Sequence, residues 1–238
     1  MRRKAKNKSP LIPQKVLVVR LSAIGDVAMT IPSIWSVAKN NPEVQITMVS
    51  QAFARDMVNQ VDGVVFFEAD VKHRHKGILG LWRLFNDLNR LGRFDAVADL
   101  HDVIRSKVIR TLFTLKGIKV VKIDKGRKEK KNLCKINDKH LVQLKTTFDR
   151  YADVFRKLNL QVDDNFDYFF REAKLPQEVI SHTGYKKSRW IGIAPFAKHP
   201  GKIFPTELME KVVEKLSSSK SNKIILIGGG GTEKELLD

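Results

Sequence analysis

A single cysteine, Cys134, excludes an intrachain disulfide framework and any metal site built from paired cysteines. Set among Lys130, Lys131 and Lys135, it is read as an ordinary thiol. Long apolar runs are also missing, since no stretch approaches the roughly eighteen residues of a membrane-spanning helix. The opening Met1-Arg2-Arg3-Lys4-Ala5-Lys6-Asn7-Lys8 lacks the apolar region of a secretory signal. The expectation is a cytoplasmic protein, peripheral at most at the inner face of the cytoplasmic membrane. Neither glycine signature for nucleotides is present: no Walker glycine-lysine pattern occurs, and Glu233 replaces the last glycine that Gly228-Gly229-Gly230-Gly231 would need for G-x-G-x-x-G. An NAD or P-loop function is therefore not expected. His73 and His75 form an H-x-H pair without a third or fourth ligand nearby, so no metal is expected either.

Acidic residues are few, 26 against 44 Lys and Arg, and the resulting net charge of +18 attracts polyanions: nucleic acid, anionic lipid or phosphorylated glycolipid. Two basic clusters carry much of it, the N-terminal arm and the run Lys122 to Lys131, both read as solvated loops or contacts to an acidic surface. Single-strand nucleic-acid sites interleave stacking aromatics with the cations. These clusters do not, which counts against a nucleic-acid partner.

What is present is a βα rhythm. Lys15 to Arg20 is a short, nearly continuous apolar run suited to a strand buried on both faces of a parallel sheet. Further strands are expected at Gln45 to Val49, Val64 to Phe67, Ala96 to Leu100 and Lys119 to Ile123. Helical patterns lie between them at about 52–60, 77–91 and 103–115, and a long helix from about His140 to Leu158 follows, with Leu144, Phe148, Tyr151, Ala152 and Phe155 on one side. Such alternation predicts a doubly wound α/β sheet. The amphipathic stretch 77–91 is assigned to packing on the sheet in preference to a membrane surface. After a polar segment with Pro176 and Gly184 the rhythm restarts at Trp190-Ile191-Gly192-Ile193-Ala194, with a helix from about Pro205 to Ser217, a strand Lys223 to Ile227 and the glycine run opening another helix. The expected organisation is a basic arm over 1–14, a Rossmann-like domain over 15–172, a linker over 173–189 and an incomplete second domain over 190–238.

Ligands of open α/β sheets bind at the carboxyl ends of strands. Four loops meet that condition. Arg20-Leu21-Ser22-Ala23-Ile24-Gly25-Asp26 brings a carboxylate beside a helix N-terminus, where the anion is favoured; Asp26 is either a proton acceptor or a helix cap. Asp99 to Ser106 follows a central strand, with His101 and Asp102 as helix caps or ligand groups and Arg105 beyond them. Lys72-His73-Arg74-His75-Lys76 is a basic loop in which Arg74 and Lys76 suit phosphate or carboxylate oxygens. Ile193 to Pro205 carries Lys198 and Lys202 between strand and helix.

Arg20, Ser22, Gly25, Asp26 and Pro32 fit R-x-S-x-x-G-D-x-x-x-x-x-P, the opening motif of glycosyltransferase family 9, the heptosyltransferases of the lipopolysaccharide core, and the chain resembles that family from Lys15 onward. Asp99 and Arg105 are similar to its D-x-Q-G-x-x-R/K-S segment, with His101-Asp102 in place of Gln-Gly, and Lys202-Ile203-Phe204-Pro205 to its K-R-W-P segment. The resemblance implies a GT-B-like fold with a complete N-terminal Rossmann-like domain and the start of a second. It implies an inverting, metal-independent transferase that needs no cofactor and uses an ADP-heptose-like donor and a lipopolysaccharide-core or other acidic glycolipid acceptor. Asp26 is implied as general base; Ser22, Arg74, Lys76 and Arg105 as acceptor contacts; Lys202, Lys198, Gly228 and Gly229 as contacts to the donor diphosphate. The family's later Asp-Ser/Thr-Gly-x-x-His segment does not occur in these residues, so a C-terminally truncated chain is expected. A non-catalytic binder of acidic glycolipid and a basic nucleic-acid-binding α/β protein are the alternatives.

Overall fold

A computed structural model describes residues 12–135, 141–163, 174–197, 199–229 and 231–237. Residues 1–11 of the basic N-terminal arm lie outside the described residues. Contacts divide the chain into two compact units, Met1–Asp167 and Tyr168–Asp238.

The first unit runs β1 (Lys15–Val19), α1 (Ile24–Ala28), α2 (Ile31–Asn40), β2 (Gln45–Ser50), a 3-10 turn (Ala52–Ala54), α3 (Arg55–Asn59), β3 (Val64–Glu68), α4 (Gly77–Asn89), β4 (Ala96–Asp99), α5 (Ile104–Leu115), β5 (Lys119–Lys122), α6 (Arg127–Leu133) and α7 (Thr147–Arg156). Its five strands form one parallel sheet in the order β3-β2-β1-β4-β5. The chain leaves β1 first toward one edge and then toward the other, so the switch of direction falls between β1 and β4. That is where a doubly wound sheet opens a crevice at its carboxyl end.

Alternation along β1 explains why both faces are covered. Leu17 and Val19 join Leu84, Phe85, Leu88, Ile109 and Phe113 in one core, which puts α4 and α5 on that face. Val16 and Val18, equally buried, point to the other, where α2 and α7 pack together and α7 reaches β4 and β5. Packing of the apolar stripe of α4 on the sheet agrees with expectation. Its outer side differs: Ile78, Leu79 and Trp82 remain exposed.

Two segments depart from the sequence reading. Of the helix expected from about His140 to Leu158, residues 141–146 are not helical, and His140 lies outside the described residues. Thr146 stops the helix, because its hydroxyl accepts from the Asp149 N–H at 3.2 Å while the Asp149 carboxylate accepts from Thr146 in return, a capping box that fixes the first turn at Thr147. Leu144 therefore lies outside the helix, and Phe148 is exposed within it. The basic run at 122–131 is not simply a loop either, for its second half is α6. Gly126, at φ +62°, starts this helix, and a Cβ there would come within 2.4 Å of the Arg150 guanidinium. The buried Arg150 bonds the Lys145 and Asp124 carbonyls and the Glu129 carboxylate (2.6 Å), holding the β5–α6 turn against α7.

The second unit contains α8 (Gln177–Thr183), β6 (Arg189–Ile193), α9 (Thr206–Ser217), β7 (Asn222–Leu226) and α10 (Thr232–Leu237), with β6 and β7 parallel and α9 against β7. Among its described residues no hydrophobic side chain is fully buried, as two strands and one packed helix enclose little volume.

Candidate active site

The loops that leave β1 and β4 are tied together by one arginine. Arg20, only 6% exposed at its side chain, donates from Nη1 to the Leu100 carbonyl at 2.7 Å and pairs through Nη2 with Asp26 at 2.5 Å. Asp26 stands in the first turn of α1 and is 56% exposed, so a buried cation orients a carboxylate that solvent and ligand can reach. Tyr151 of α7 is buried close by; burial and the Asp26 charge push its phenol up against the opposing Arg20.

Asp99, at the end of β4 and wholly buried, organises the facing loop. Its Oδ1 accepts from the backbone N–H groups of His101 and Asp102, both at 2.9 Å, and its Oδ2 pairs with Arg110 at 2.8 Å. The same Arg110 nitrogen reaches Asp102 at 2.7 Å, and Arg127 approaches Asp102 from α6 at 3.4 Å. Burial acts to raise the Asp102 carboxyl, but the Arg110 hydrogen bond with Lys122 and Arg127 nearby holds it below the usual range. These contacts also hold Asp102 at φ +43°, a conformation side chains rarely adopt.

His101 follows Asp99 and turns its ring toward the β1 loop. The Leu21 N–H donates to its Nδ1 at 3.3 Å, and its Nε2 lies 3.3 Å from the Ser22 hydroxyl. Burial, with the Arg20 and Lys125 charges, lowers its pKa to about 4 against the opposing Asp99 and Asp26. The unfolded chain therefore takes up this proton first, and the stability gained by keeping the ring neutral is complete above about pH 6.5 and lost as pH falls toward 4. Unfolding free energy is expected to drop by about 2 kcal/mol between pH 7 and pH 5 on this account. Denaturant titrations of the parent and His101→Gln at the two pH values check it, since the variant should lose most of that difference.

Beside these loops are two basic concavities. One of about 430 Å³ is lined by Asp102, Lys122, Lys125, Arg127, Lys128 and Lys157 among others. Another of about 570 Å³ has Arg105 and Lys107 facing Arg127 and Asp102. Burial, then Arg127 and Arg20, lower the Lys125 ammonium below its ordinary value despite Asp102 and Asp99. Together they suit a ligand bearing phosphate or carboxylate groups.

The structure thus sets Ser22 against His101 and Asp26 against Arg20 on the segment that follows β1, and puts Arg105 on the wall of a nearby cavity. Arg74 and Lys76 lie elsewhere, after β3. Arg74 forms a forked pair with Asp87 at 2.7 and 3.0 Å, and the same carboxylate meets the buried His75 at 3.2 Å and Arg90 at 3.1 Å. His75 also accepts the Asp70 N–H, and a Cβ on Gly80 would come within 2.2 Å of the His75 backbone, so the H-x-H segment is fastened to α4. This gives Arg74 a structural partner in place of a free anion-binding fork. Lys76, preceding α4, is exposed. Among the described residues no group of three His, Cys, Asp or Glu is arranged to hold a metal.

In the second unit Lys202 ends a 3-10 turn and is exposed. Lys198 lies outside the described residues. The Gly229 N–H is occupied by the Glu233 carboxylate at 2.6 Å, and a Cβ on Gly228 would meet Leu237 at 2.7 Å. The N–H proposed for a diphosphate is thus bound by an internal anion. Sequence reasoning missed Arg110 and Tyr151, and it saw Lys125 and Arg127 only within a basic run with no link to the Asp26 and Asp99 loops.

No family model matches the chain. Over 97 residues it is 23% identical to the lipopolysaccharide core heptosyltransferase OpsX of Haemophilus influenzae, a match covering 41% of this chain and 27% of that protein. The crystal structure of a family 9 glycosyl transferase from Veillonella parvula superimposes with a TM-score of 0.70 over 94% of this chain, at 22% identity. The chain has the fold of glycosyltransferase family 9. Escherichia coli heptosyltransferase WaaC, solved with ADP, superimposes with a TM-score of 0.66 over 93% of this chain at 18% identity. The chain spans 65% of the Veillonella transferase and 70% of WaaC, so the second domain of the family 9 fold is covered only in part.

Proposed function

We propose that this chain is the acceptor domain and part of the donor domain of an inverting glycosyltransferase that moves a heptose-like sugar from an ADP-heptose-like donor to a lipopolysaccharide-core or other acidic glycolipid acceptor. The observation that carries the reading is the exposed Asp26 carboxylate, held by buried Arg20 at the switch point of the sheet. The likeness to a lipopolysaccharide heptosyltransferase and to an ADP-bound one supports the choice of substrates.

In this mechanism Asp26 takes the proton of an acceptor hydroxyl as its oxygen attacks the anomeric carbon, while the bond to the diphosphate breaks and ADP leaves. Arg20 fixes one carboxylate oxygen. Arg105, Arg127 and Lys125 offer cations to acidic groups of the acceptor, and Lys202 and Lys198 are assigned to the leaving diphosphate. Loop backbone at Gly228 and Gly229 would join them once Glu233 yields the N–H it now occupies. The test is acceptor-dependent release of ADP from ADP-heptose. Acceptor binding without ADP release would instead favour a non-catalytic glycolipid binder.

A lipid acceptor places the enzyme at a membrane surface, and the outer side of α4 fits that setting. Ile78 and Trp82 are 78% and 56% exposed, with Lys76 and Arg83 exposed on the same stretch. Apolar insertion beside cations favours an anionic bilayer. Sedimentation with vesicles containing an anionic phospholipid is expected to retain the protein, and Ile78→Ser with Trp82→Ser to weaken retention by about tenfold. Equal retention of both proteins would remove α4 from the contact.

A further inference from the structure

His101 stands where the family pattern has glutamine, and its ring spans the two loops that frame Asp26. A backbone N–H can only donate, so Nδ1, which receives the Leu21 N–H, carries no proton. In a neutral imidazole the proton then sits on Nε2, and Nε2 faces the Ser22 oxygen. Ser22 must accept that hydrogen bond. Its own O–H hydrogen consequently points elsewhere, and Ser22, four residues before Asp26, is only half-buried.

The ring has little freedom to do otherwise. Asp99 binds the His101 backbone N–H and is itself pinned by Arg110 from α5. Charged groups facing the ring are Arg20 from the end of β1, Lys125 from the β5–α6 loop, Asp99 from β4 and Asp26 from α1. A second proton on Nδ1 would set donor against donor at Leu21.

We propose that His101 is a positioning residue that locks the Ser22 hydroxyl as acceptor toward Nε2–H, leaving the Ser22 hydrogen to donate to the acceptor sugar beside Asp26. The inference rests on the transferase reading for its ligand, while the tautomer stands on this chain alone. His101 touches no reacting atom; it acts through Ser22.

The decisive measurement on the chain itself is a long-range 1H–15N spectrum at pH 7, with His101 assigned by its loss in His101→Gln. A pyrrole-type Nε2 and a pyridine-type Nδ1 are expected, and the opposite tautomer or a doubly protonated ring overturns the proposal. In the transfer assay, His101→Gln keeps one acceptor and one donor and should retain the rate within about threefold. His101→Leu fills similar volume without either and should lose about tenfold or more in kcat/KM for the acceptor, with KM for the ADP-sugar unchanged. Ser22→Ala should cost as much as His101→Leu, and combining the two should cost no more. A tolerated leucine with a damaging glutamine would show that the ring merely packs. Absence of transfer in the parent would count against the transferase reading, and the tautomer would still be decided by the spectrum.

Discussion

Asp26→Asn is expected to lower acceptor-dependent ADP release by about a hundred- to ten-thousand-fold, the range for removing a positioned general base. The substitution is nearly isosteric, and the amide oxygen can still receive the Arg20 guanidinium, so neither fold nor acceptor binding should change greatly. What disappears is the ability to accept a proton. Asp26 is not the helix cap that the sequence left open, since the N-cap of α1 is Ala23 and no side chain caps the helix, so a merely structural Asp26 would leave turnover untouched. The two roles therefore separate cleanly: measured rate and melting temperature should move independently. Transfer within tenfold of the parent by the Asn variant would end the assignment of Asp26 as base.

Asp99→Ala should be the most destabilising single change near the site, at about 3–5 kcal/mol of unfolding free energy. It removes a wholly buried carboxylate that satisfies two backbone N–H groups and one guanidinium. Those N–H groups would be left in a buried loop without a partner. Arg110 would retain Asp102, which keeps the loss short of a fully orphaned cation. Asp99→Asn keeps acceptor oxygen for the loop while discarding the charge, so it should fall between the parent and Ala. Urea titration of the three proteins measures the order, and a loss below about 1 kcal/mol for Ala would mean that the β4–α5 loop is held by its packing.

The likeness to family 9 transferases and the site geometry support different parts of the reading. The first concerns the fold, and through relatives the class of donor and acceptor. The second concerns how this chain would use it, with a buried Arg20 strut, an Asp99 hub and an imidazole replacing a carboxamide at 101. Lys125 and Arg127, in a run that the sequence left as either a solvated loop or a contact to an acidic surface, line a cavity because of α6 and the Gly126 turn.

The amino-acid sequence by itself determined the parallel sheet of the first unit, because short apolar runs separated by helical periods can bury both faces only in that arrangement. It also determined the place of Asp26, since a loop directly after a central strand has nowhere to lie but the carboxyl edge of the sheet. Tertiary structure alone decided which cations are free. Arg74 and Arg105 are equally basic in sequence, yet Asp87, thirteen residues beyond Arg74, captures the first and no carboxylate among the described residues captures the second. Likewise, nothing in the spacing of Asp99, Asp102 and Arg110 announces a buried ion-pair hub, nor that His101 turns toward Ser22 some eighty positions earlier. Such pairings depend on the distance between strand ends in the folded sheet, which separation along the chain does not encode.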